Sequence, residues 1–141
     1  GWRYHMSNIM AAIGIEQLKR FPEMARKRQM LAKFYDSLFK GHLRIQPIVR
    51  DYETVVPHIY VVRIEGLMDR NSLHNKLNDQ GIETGQHYQP NHLLSLYQDE
   101  QVISLPTTER LFLELITLPL HPDLSKIDLE YVAETLKNFI N

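Results

Sequence analysis

Residues 59–88 read IYVVRIEGLMDRNSLHNKLNDQGIETGQHY, and this stretch predicts three consecutive secondary-structure elements. Its apolar beginning completes a β-like segment that covers residues 54–64. Asp69 or Asn71 can cap a following helix, and Gly81 suits the left-handed end of that helix. A second β-like segment runs from there to the end of the stretch. The order strand, helix, strand predicts a sheet with a helix packed against it.

Towards the amino terminus the apolar residues change to helical spacing. Ser7 can cap a first helix that continues through Leu18, and Pro22 suits the first turn of a second, amphipathic helix that ends near Gly41. A short β-like run follows at residues 43–48. We therefore predict two leading helices before the sheet.

Towards the carboxyl terminus two further helices are predicted. The first begins at Pro106 and extends through Ile116, and a short apolar piece follows at residues 118–120. The pattern Ser125-x-x-Asp128 is a capping box that opens the last helix. The fold class is therefore α+β, with leading helices followed by a small, mostly antiparallel sheet on which helices pack.

Composition limits the classes of function. The 141 residues, 43% of them hydrophobic, fit one compact unit, and 16 basic against 17 acidic residues give a net charge of -1 that does not favour nucleic acid. There is no cysteine, which excludes disulfides and thiolate chemistry. No apolar run approaches the ~20 residues that cross a bilayer. We expect a cytoplasmic protein without membrane or nucleic-acid partners.

Five separated segments of the sequence carry a family resemblance. They are GWRYHMSNIMAAIGIEQLKRF at 1–21, HIYVVRI at 58–64, GIETGQHYQPNHLLSLY at 81–97, LPTTERL at 105–111 and TLPLHPDLSKIDLEYV at 117–132. In this order they resemble the DegT/StrS-type sugar aminotransferases, which use pyridoxal phosphate. The resemblance implies the C-terminal small domain of a fold-type I pyridoxal-phosphate-dependent transferase. Residues 1–41 would be an active-site loop with long connecting helices, and residues 42–141 the small α+β domain.

The opening segment carries the expected cofactor contacts. In the family it follows the lysine that holds the cofactor and reaches the pyridoxal phosphate of the partner in a homodimer. Arg3, His5 and a helix amino terminus capped by Ser7 suit a phosphate. Many relatives have Gly-aromatic-Asn-aromatic-Arg here, so which of Arg3 and His5 makes the contact stays open. Without the resemblance, a solvated Arg3 and a packed His5 are the simpler interpretation.

His87 and Tyr88 are the expected substrate contacts. In the family a matching His-Tyr pair faces the sugar-nucleotide pocket, so the resemblance implies that these two side chains orient the substrate. An imidazole and a phenol suit hydroxyl and diphosphate oxygens. Taken alone, a histidine at a strand end is equally well explained as a structural residue.

No lysine of this chain has the sequence context of the family's catalytic lysine, so we expect no catalytic residue here and an inactive chain by itself. The resemblance implies that the full enzyme takes a nucleotide-linked keto sugar and an amino donor, usually glutamate. It also implies a homodimer or larger homo-oligomer, and a role in antibiotic or surface-polysaccharide biosynthesis. The lysines are Lys19, Lys27, Lys33, Lys40, Lys76, Lys126 and Lys137.

A metal site is not expected. His87 and His92 are the closest histidine pair of the candidate region, and Pro90 lies between them, so neither a zinc nor an iron ligand pattern exists. The basic run at residues 26–28 alternates with apolar positions and is interpreted as a solvated helix face. Two non-catalytic alternatives remain open: a free-standing α+β binding or dimerisation module, and a catalytic remnant that became a regulator.

Overall fold

The structure, a computed structural model, describes residues 4–97 and 104–140. Its described part contains four α-helices and three strands, with two short 3-10 helices in the loop after residue 90. In chain order the elements are α1 (Asn8–Phe39), β1 (Ile45–Pro47), β2 (Tyr60–Ile64), α2 (Arg70–Asp79), the 3-10 helices Asn91–Leu93 and Ser95–Tyr97, α3 (Pro106–Glu114), β3 (Leu115–Leu118) and α4 (Lys126–Ile140).

The three strands form one antiparallel sheet in the order β1-β2-β3. Val62 at the centre of β2 pairs with Ile116 of β3, and Tyr60 pairs with Leu118. Because side chains alternate along a strand, these four residues share one face of the sheet. That face is buried in the core. The predicted α+β class and the small antiparallel sheet are confirmed.

The core lies between this face of the sheet and the helices α1, α2 and α4. Only the second half of α1 takes part, through Leu31, Tyr35 and Phe39, which are almost completely buried. The Tyr35 ring stacks on Tyr60 of β2, with 4.6 Å between the ring centroids. Leu136 of α4 is likewise fully buried. Burial of this apolar surface, at about 25 cal/mol per Å², is the main stabilising contribution.

The prediction of two leading helices is wrong, because α1 runs without a break through Pro22. Proline removes one backbone hydrogen bond and costs about 3 kcal/mol in a helix interior. A second helix would need a turn and a capping side chain, and the preceding Lys19, Arg20 and Phe21 provide neither. Continuing the helix is therefore the less costly solution.

The first half of α1 projects from the core. Residues 8–23 are exposed apart from the half-buried Ala11, and their apolar side chains face solvent in this structure. A Cβ added at Gly14, in the middle of this half, would meet no described atom within 4 Å. The exposed apolar residues are Ile9, Met10, Ile13, Ile15, Leu18 and Phe21.

Three predicted element bounds also differ from the structure. The β-like segment at 82–88 forms only a single bridge, at Gly85, and the segment at 54–64 becomes regular strand only from Tyr60. The helix that begins at Pro106 ends before Ile116, which lies in β3. Here pairing with the central strand overrides the helical spacing of the preceding leucines.

Two predicted helix starts, those of α2 and α4, are confirmed. Asp69, rather than Asn71, caps α2 by accepting the Ser72 N–H at 2.9 Å. Ser125 and Asp128 form the reciprocal capping box before α4: the Ser125 N–H donates to Asp128 Oδ2 at 2.8 Å, and the Asp128 N–H donates to Ser125 Oγ at 3.3 Å. The Ser125 hydroxyl also donates to Asp128 Oδ2, at 2.7 Å, and this bond together with the one from the Ser125 N–H lowers the pKa of Asp128 below its usual 3.8.

Arg28 corrects the interpretation of the basic run as a wholly solvated face. This half-buried side chain donates from Nη1 to the Leu120 carbonyl at 2.8 Å and to the His58 carbonyl at 3.1 Å. It therefore links α1 to the loop before β2 and to the loop after β3, which lie at the same end of the sheet. Within the described residues, no helix is both long and apolar enough to cross a membrane.

Candidate functional site

The candidate region is the segment that runs along the open edge of β3. Gly85 pairs with Thr117 through two backbone hydrogen bonds of 2.9 Å, one in each direction. Thr117 lies between Ile116 and Leu118, whose side chains are in the core, so its own side chain lies on the opposite face of the sheet. This pairing brings His87 over that second face.

His87 and Tyr88 lie together beside the edge of the sheet. The two rings contact each other edge to face, with centroids 4.8 Å apart, and the peptide bond between them is cis. His87 Nδ1 lies 3.0 Å from Thr117 Oγ1, and the Tyr88 side chain is 71% exposed. In residues 4–97 and 104–140 no partner contacts His87 Nε2, so this nitrogen is free to bind a ligand.

The expected cofactor-binding residues make no contact with His87 or Tyr88 among the described residues. Arg3 lies outside the described residues. His5 is exposed and makes no hydrogen bond or ion pair to any described residue. It precedes Ser7, whose Oγ accepts the Met10 N–H at 3.2 Å and so caps α1. The structure thus gives two separate groups of candidates, one at the start of α1 and one at the edge of the sheet.

The residues of this chain fit one part of pyridoxal phosphate only. A histidine beside a helix amino terminus can bind its phosphate. Covalent attachment instead needs an amine in a desolvated pocket. All seven lysines are described; six are exposed, and the half-buried Lys137 is paired with Glu134 at 2.8 Å. None of them has the environment that covalent attachment needs.

A polar cavity of about 220 Å³ next to the candidate pair was not predicted. It lies between α2 and the 84–86 segment. His74 Nδ1 lies 2.6 Å from Thr84 Oγ1, and Arg70 lies over the Phe112 ring with 4.5 Å to its centroid and donates to the Phe112 carbonyl. Burial lowers the pKa of Arg70. The cavity is lined by Arg70, Asn71, His74, Thr84, Gly85, Gln86 and Ile116.

Sequence reasoning could not find this cavity because its two walls, on α2 and the 84–86 segment, come together only when the chain folds. The histidine and the threonine are ten residues apart and are separated by the end of α2. The one available signal was that polar residues recur on one face of α2. That pattern is also typical of an ordinary solvated helix.

His92 has a role in local structure. Its Nε2 lies 3.2 Å from Glu109 Oε1, and the same carboxylate oxygen accepts the Leu105 N–H at 2.8 Å. These two hydrogen bonds lower the pKa of Glu109. The pair joins the loop after His87 to the start of α3. Throughout the described residues no group of three or more potential ligands could hold a metal ion.

The chain is similar to solved sugar aminotransferases. Spr1654 from Streptococcus pneumoniae, described as a candidate sugar aminotransferase, is 36% identical in its pyridoxal-phosphate form, with a TM-score of 0.87 over 95% of this chain. PseC from Helicobacter pylori, an aminotransferase of pseudoaminic acid biosynthesis, is 25% identical with a TM-score of 0.91 over 99%. TlmJ from Streptoalloteichus hindustanus, an aminotransferase, is 32% identical with a TM-score of 0.81 over 96%.

The chain spans only 36%, 39% and 37% of these three proteins. The likeness covers both the projecting helix and the sheet, because almost all of this chain is matched in each comparison. The profile of one family matches residues 1–137, which include both groups of candidate residues. Sequence and fold therefore agree that this chain belongs to the DegT/DnrJ/EryC1/StrS aminotransferase family.

Proposed function

We propose that this chain is the C-terminal part of a pyridoxal-phosphate-dependent aminotransferase that aminates a keto sugar linked to a nucleotide. The observation that carries the proposal is the family match over residues 1–137, together with neighbours that are described as sugar aminotransferases and are more than twice as long. The amino donor is glutamate, and the product serves antibiotic or surface-polysaccharide biosynthesis. In this proposal residues 1–41 connect to a large domain and residues 42–141 are the small domain.

The cofactor, when bound, supplies an electron sink for the proton transfers of transamination. In this proposal the large domain supplies the lysine, and the chain described here supplies contacts. His5 and the capped start of α1, together with Arg3, which precedes them in the sequence, bind the cofactor phosphate of the partner subunit. The solvent exposure of His5 supports this role, because a side chain that serves a neighbouring subunit has no partner within its own chain.

His87 and Tyr88 bind and orient the sugar nucleotide. Two features support this role: the exposed phenol of Tyr88, and a His87 nitrogen without a partner in the described part of the chain. Both groups can hydrogen-bond to hydroxyl and diphosphate oxygens. The polar cavity beside them, with Arg70 and His74 in its wall, adds donors that suit an anionic substrate.

The exposed half of α1 supports a partner surface. It carries six exposed large apolar side chains close together on one helix, and contiguous apolar patches mark interaction sites. We propose that the large domain and a second subunit cover this half, so that the enzyme is a homodimer or larger homo-oligomer. A cytoplasmic location agrees with the absence of cysteine from the sequence.

A transamination assay tests the proposal. The polypeptide encoded by the reading frame that contains these residues is incubated with pyridoxal phosphate, glutamate and a panel of nucleotide-linked keto sugars, and 2-oxoglutarate is measured. We expect turnover with at least one sugar. His87→Ala should raise the KM for that sugar about tenfold, the effect of one lost hydrogen bond to a charged group.

The control variant is His42→Ala, since His42 accepts only the backbone N–H groups of Arg44 and Ile45 in the β1 turn. Its KM should stay unchanged. A reading frame without a lysine-bearing large domain, together with no turnover on any sugar, would contradict the proposal and favour a non-catalytic module.

A further inference from the structure

Two residues that the proposed function does not use, Thr117 and Gly85, hold the ring of His87. We infer that they are positioning residues, which fix the His87 imidazole so that Nε2–H is presented as a hydrogen-bond donor to an oxygen of the sugar nucleotide. The inference rests on the proposed function for the identity of the ligand. The arrangement of the ring rests on the structure alone.

The Thr117 hydroxyl lies in a nearly closed position. Thr117 is only 7% exposed, because the His87 ring covers its side chain on the second face of the sheet. Its backbone groups are already used in the bridge to Gly85. Of the atoms in residues 4–97 and 104–140, only His87 Nδ1 is within hydrogen-bond distance of Oγ1.

This isolation decides which group donates. A neutral imidazole carries its proton on one nitrogen and accepts on the other. If Nδ1 carried the proton, the Thr117 hydroxyl would accept it and its own proton would have no acceptor in a nearly closed position, which is costly. If the hydroxyl donates to Nδ1, both the hydroxyl proton and Nδ1 have a partner. The ring of His87 then carries its proton on Nε2, the nitrogen without a described partner.

Gly85 provides the space for this ring. A Cβ placed on Gly85 would lie 2.7 Å from His87 Cε1 and 3.1 Å from Nδ1, closer than side-chain carbons approach. Since Gly85 and Thr117 face each other across the bridge, the space that a side chain of residue 85 would fill is the space that the imidazole occupies. Glycine therefore allows this close approach of the imidazole, and a side chain at residue 85 would force the ring to shift.

Together these contacts set a preference for the ligand. A ring fixed with Nε2–H outward donates to an acceptor, such as a sugar hydroxyl oxygen, a keto oxygen or a diphosphate oxygen. It does not accept from a donor such as an amino group. His87 would therefore favour the keto substrate over the amino product, if the reacting carbon is the one that it contacts.

Nuclear magnetic resonance of the 141-residue chain tests the positioning without any ligand. Long-range proton–nitrogen correlations of the histidine ring report which nitrogen is protonated, and a nuclear Overhauser effect between His87 Hε1 and the Gly85 α-protons reports the ring position. The variants are Thr117→Val, which removes the hydroxyl, and Thr117→Ser, which keeps it. Thr108→Val is the matched control, because Thr108 is exposed on α3.

We expect the Nε2–H form and a strong Overhauser effect in the unsubstituted chain, in Thr117→Ser and in Thr108→Val. Thr117→Val should lose the Overhauser effect while its amide spectrum stays dispersed, which shows that the fold is kept. Gly85→Ala should lose it as well, while the slow amide exchange of the Gly85–Thr117 bridge persists. A ring protonated on Nδ1, or an unchanged Overhauser effect in Thr117→Val, would overturn the inference.

The proposed function is tested separately in the transamination assay. If Thr117→Val raises the KM for the sugar nucleotide, with kcat nearly unchanged and Thr117→Ser restoring the original value, the positioning serves substrate binding. If the ring is fixed as inferred but His87→Ala leaves the KM unchanged, the substrate role of His87 is wrong and the positioning stands. The two failures are thus distinguishable.

Discussion

Replacing Arg28 by methionine should lower the free energy of unfolding by more than is usual for a residue on a helix surface. Methionine keeps the length and the apolar stem of the side chain but removes both donors. The bond to the Leu120 carbonyl, 2.8 Å and partly buried, has a charged donor, and such bonds contribute about 1.5–3 kcal/mol. The bond to the His58 carbonyl, 3.1 Å and exposed, contributes less than about 1 kcal/mol. The expected loss is roughly 2–4 kcal/mol.

Urea and thermal unfolding, followed by far-UV circular dichroism, measure this loss. For a chain of this size it corresponds to a fall in Tm of roughly 6–20 °C. Arg26→Met is the control, because Arg26 lies on the same helix, is exposed and contacts no described residue. That variant should stay within about 0.5 kcal/mol of the unsubstituted chain. Equal midpoints for the two variants would show that water satisfies both carbonyls, and would refute the reasoning.

Three further predictions concern the core, acid and alkali. Leu136→Ala should cost about 2–5 kcal/mol because Leu136 is fully buried, while Ile127→Ala on the same helix, 75% exposed, should cost less than about 0.5 kcal/mol; urea midpoints compare them. The Asp128 carboxylate stabilises the fold above its unfolded pKa of 3.8, and this contribution is lost as the pH falls through the lower folded pKa. The difference in urea midpoint between the unsubstituted chain and Asp128→Asn should therefore shrink in acid. A difference in midpoint that does not change with pH would contradict this. Burial, the negative charge of Asp36 and the hydrogen bond to Asp36 raise the pKa of Tyr52 to about 12. The contribution of the protonated Tyr52 phenol to stability is therefore present below pH 10.0 and is lost as the pH rises through about 12. In Asp36→Asn the phenolate absorbance of Tyr52, identified by difference from Tyr52→Phe, should appear at lower pH, and an unchanged titration would exclude the carboxylate as a cause.

Features with a local cause could be predicted from the sequence. The capping box of Ser125 and Asp128 spans four residues, and the left-handed Gly81, with φ of 73°, ends α2 as its position predicts. The paired His87 and Tyr88 were found because they are adjacent in the chain. In each case the interacting groups are neighbours in sequence, so the pattern itself contains the interaction.

Features with a distant cause could not be predicted. The Leu120 carbonyl that Arg28 binds is 92 residues away in sequence, and Thr117 is 30 residues from the histidine that it contacts. Pro22 indicates a break between two helices, but no side chain just before it could cap a second helix. The second strand of the predicted strand–helix–strand unit is a single bridge between Gly85 and Thr117, which are 32 residues apart in the chain.

The exposed first half of α1 has a consequence for how strongly subunits associate. A helix of this length without packing is marginal in water, so its amide hydrogens should exchange with solvent faster than those of residues 25–39. The affinity of any surface that covers this half of α1 is reduced by the free energy needed to order the helix. Gly14→Ala, where the added methyl group meets nothing within 4 Å, removes about 0.5–1 kcal/mol of that cost. Association with the proposed partner surface can thus be tuned through the helix propensity of residue 14.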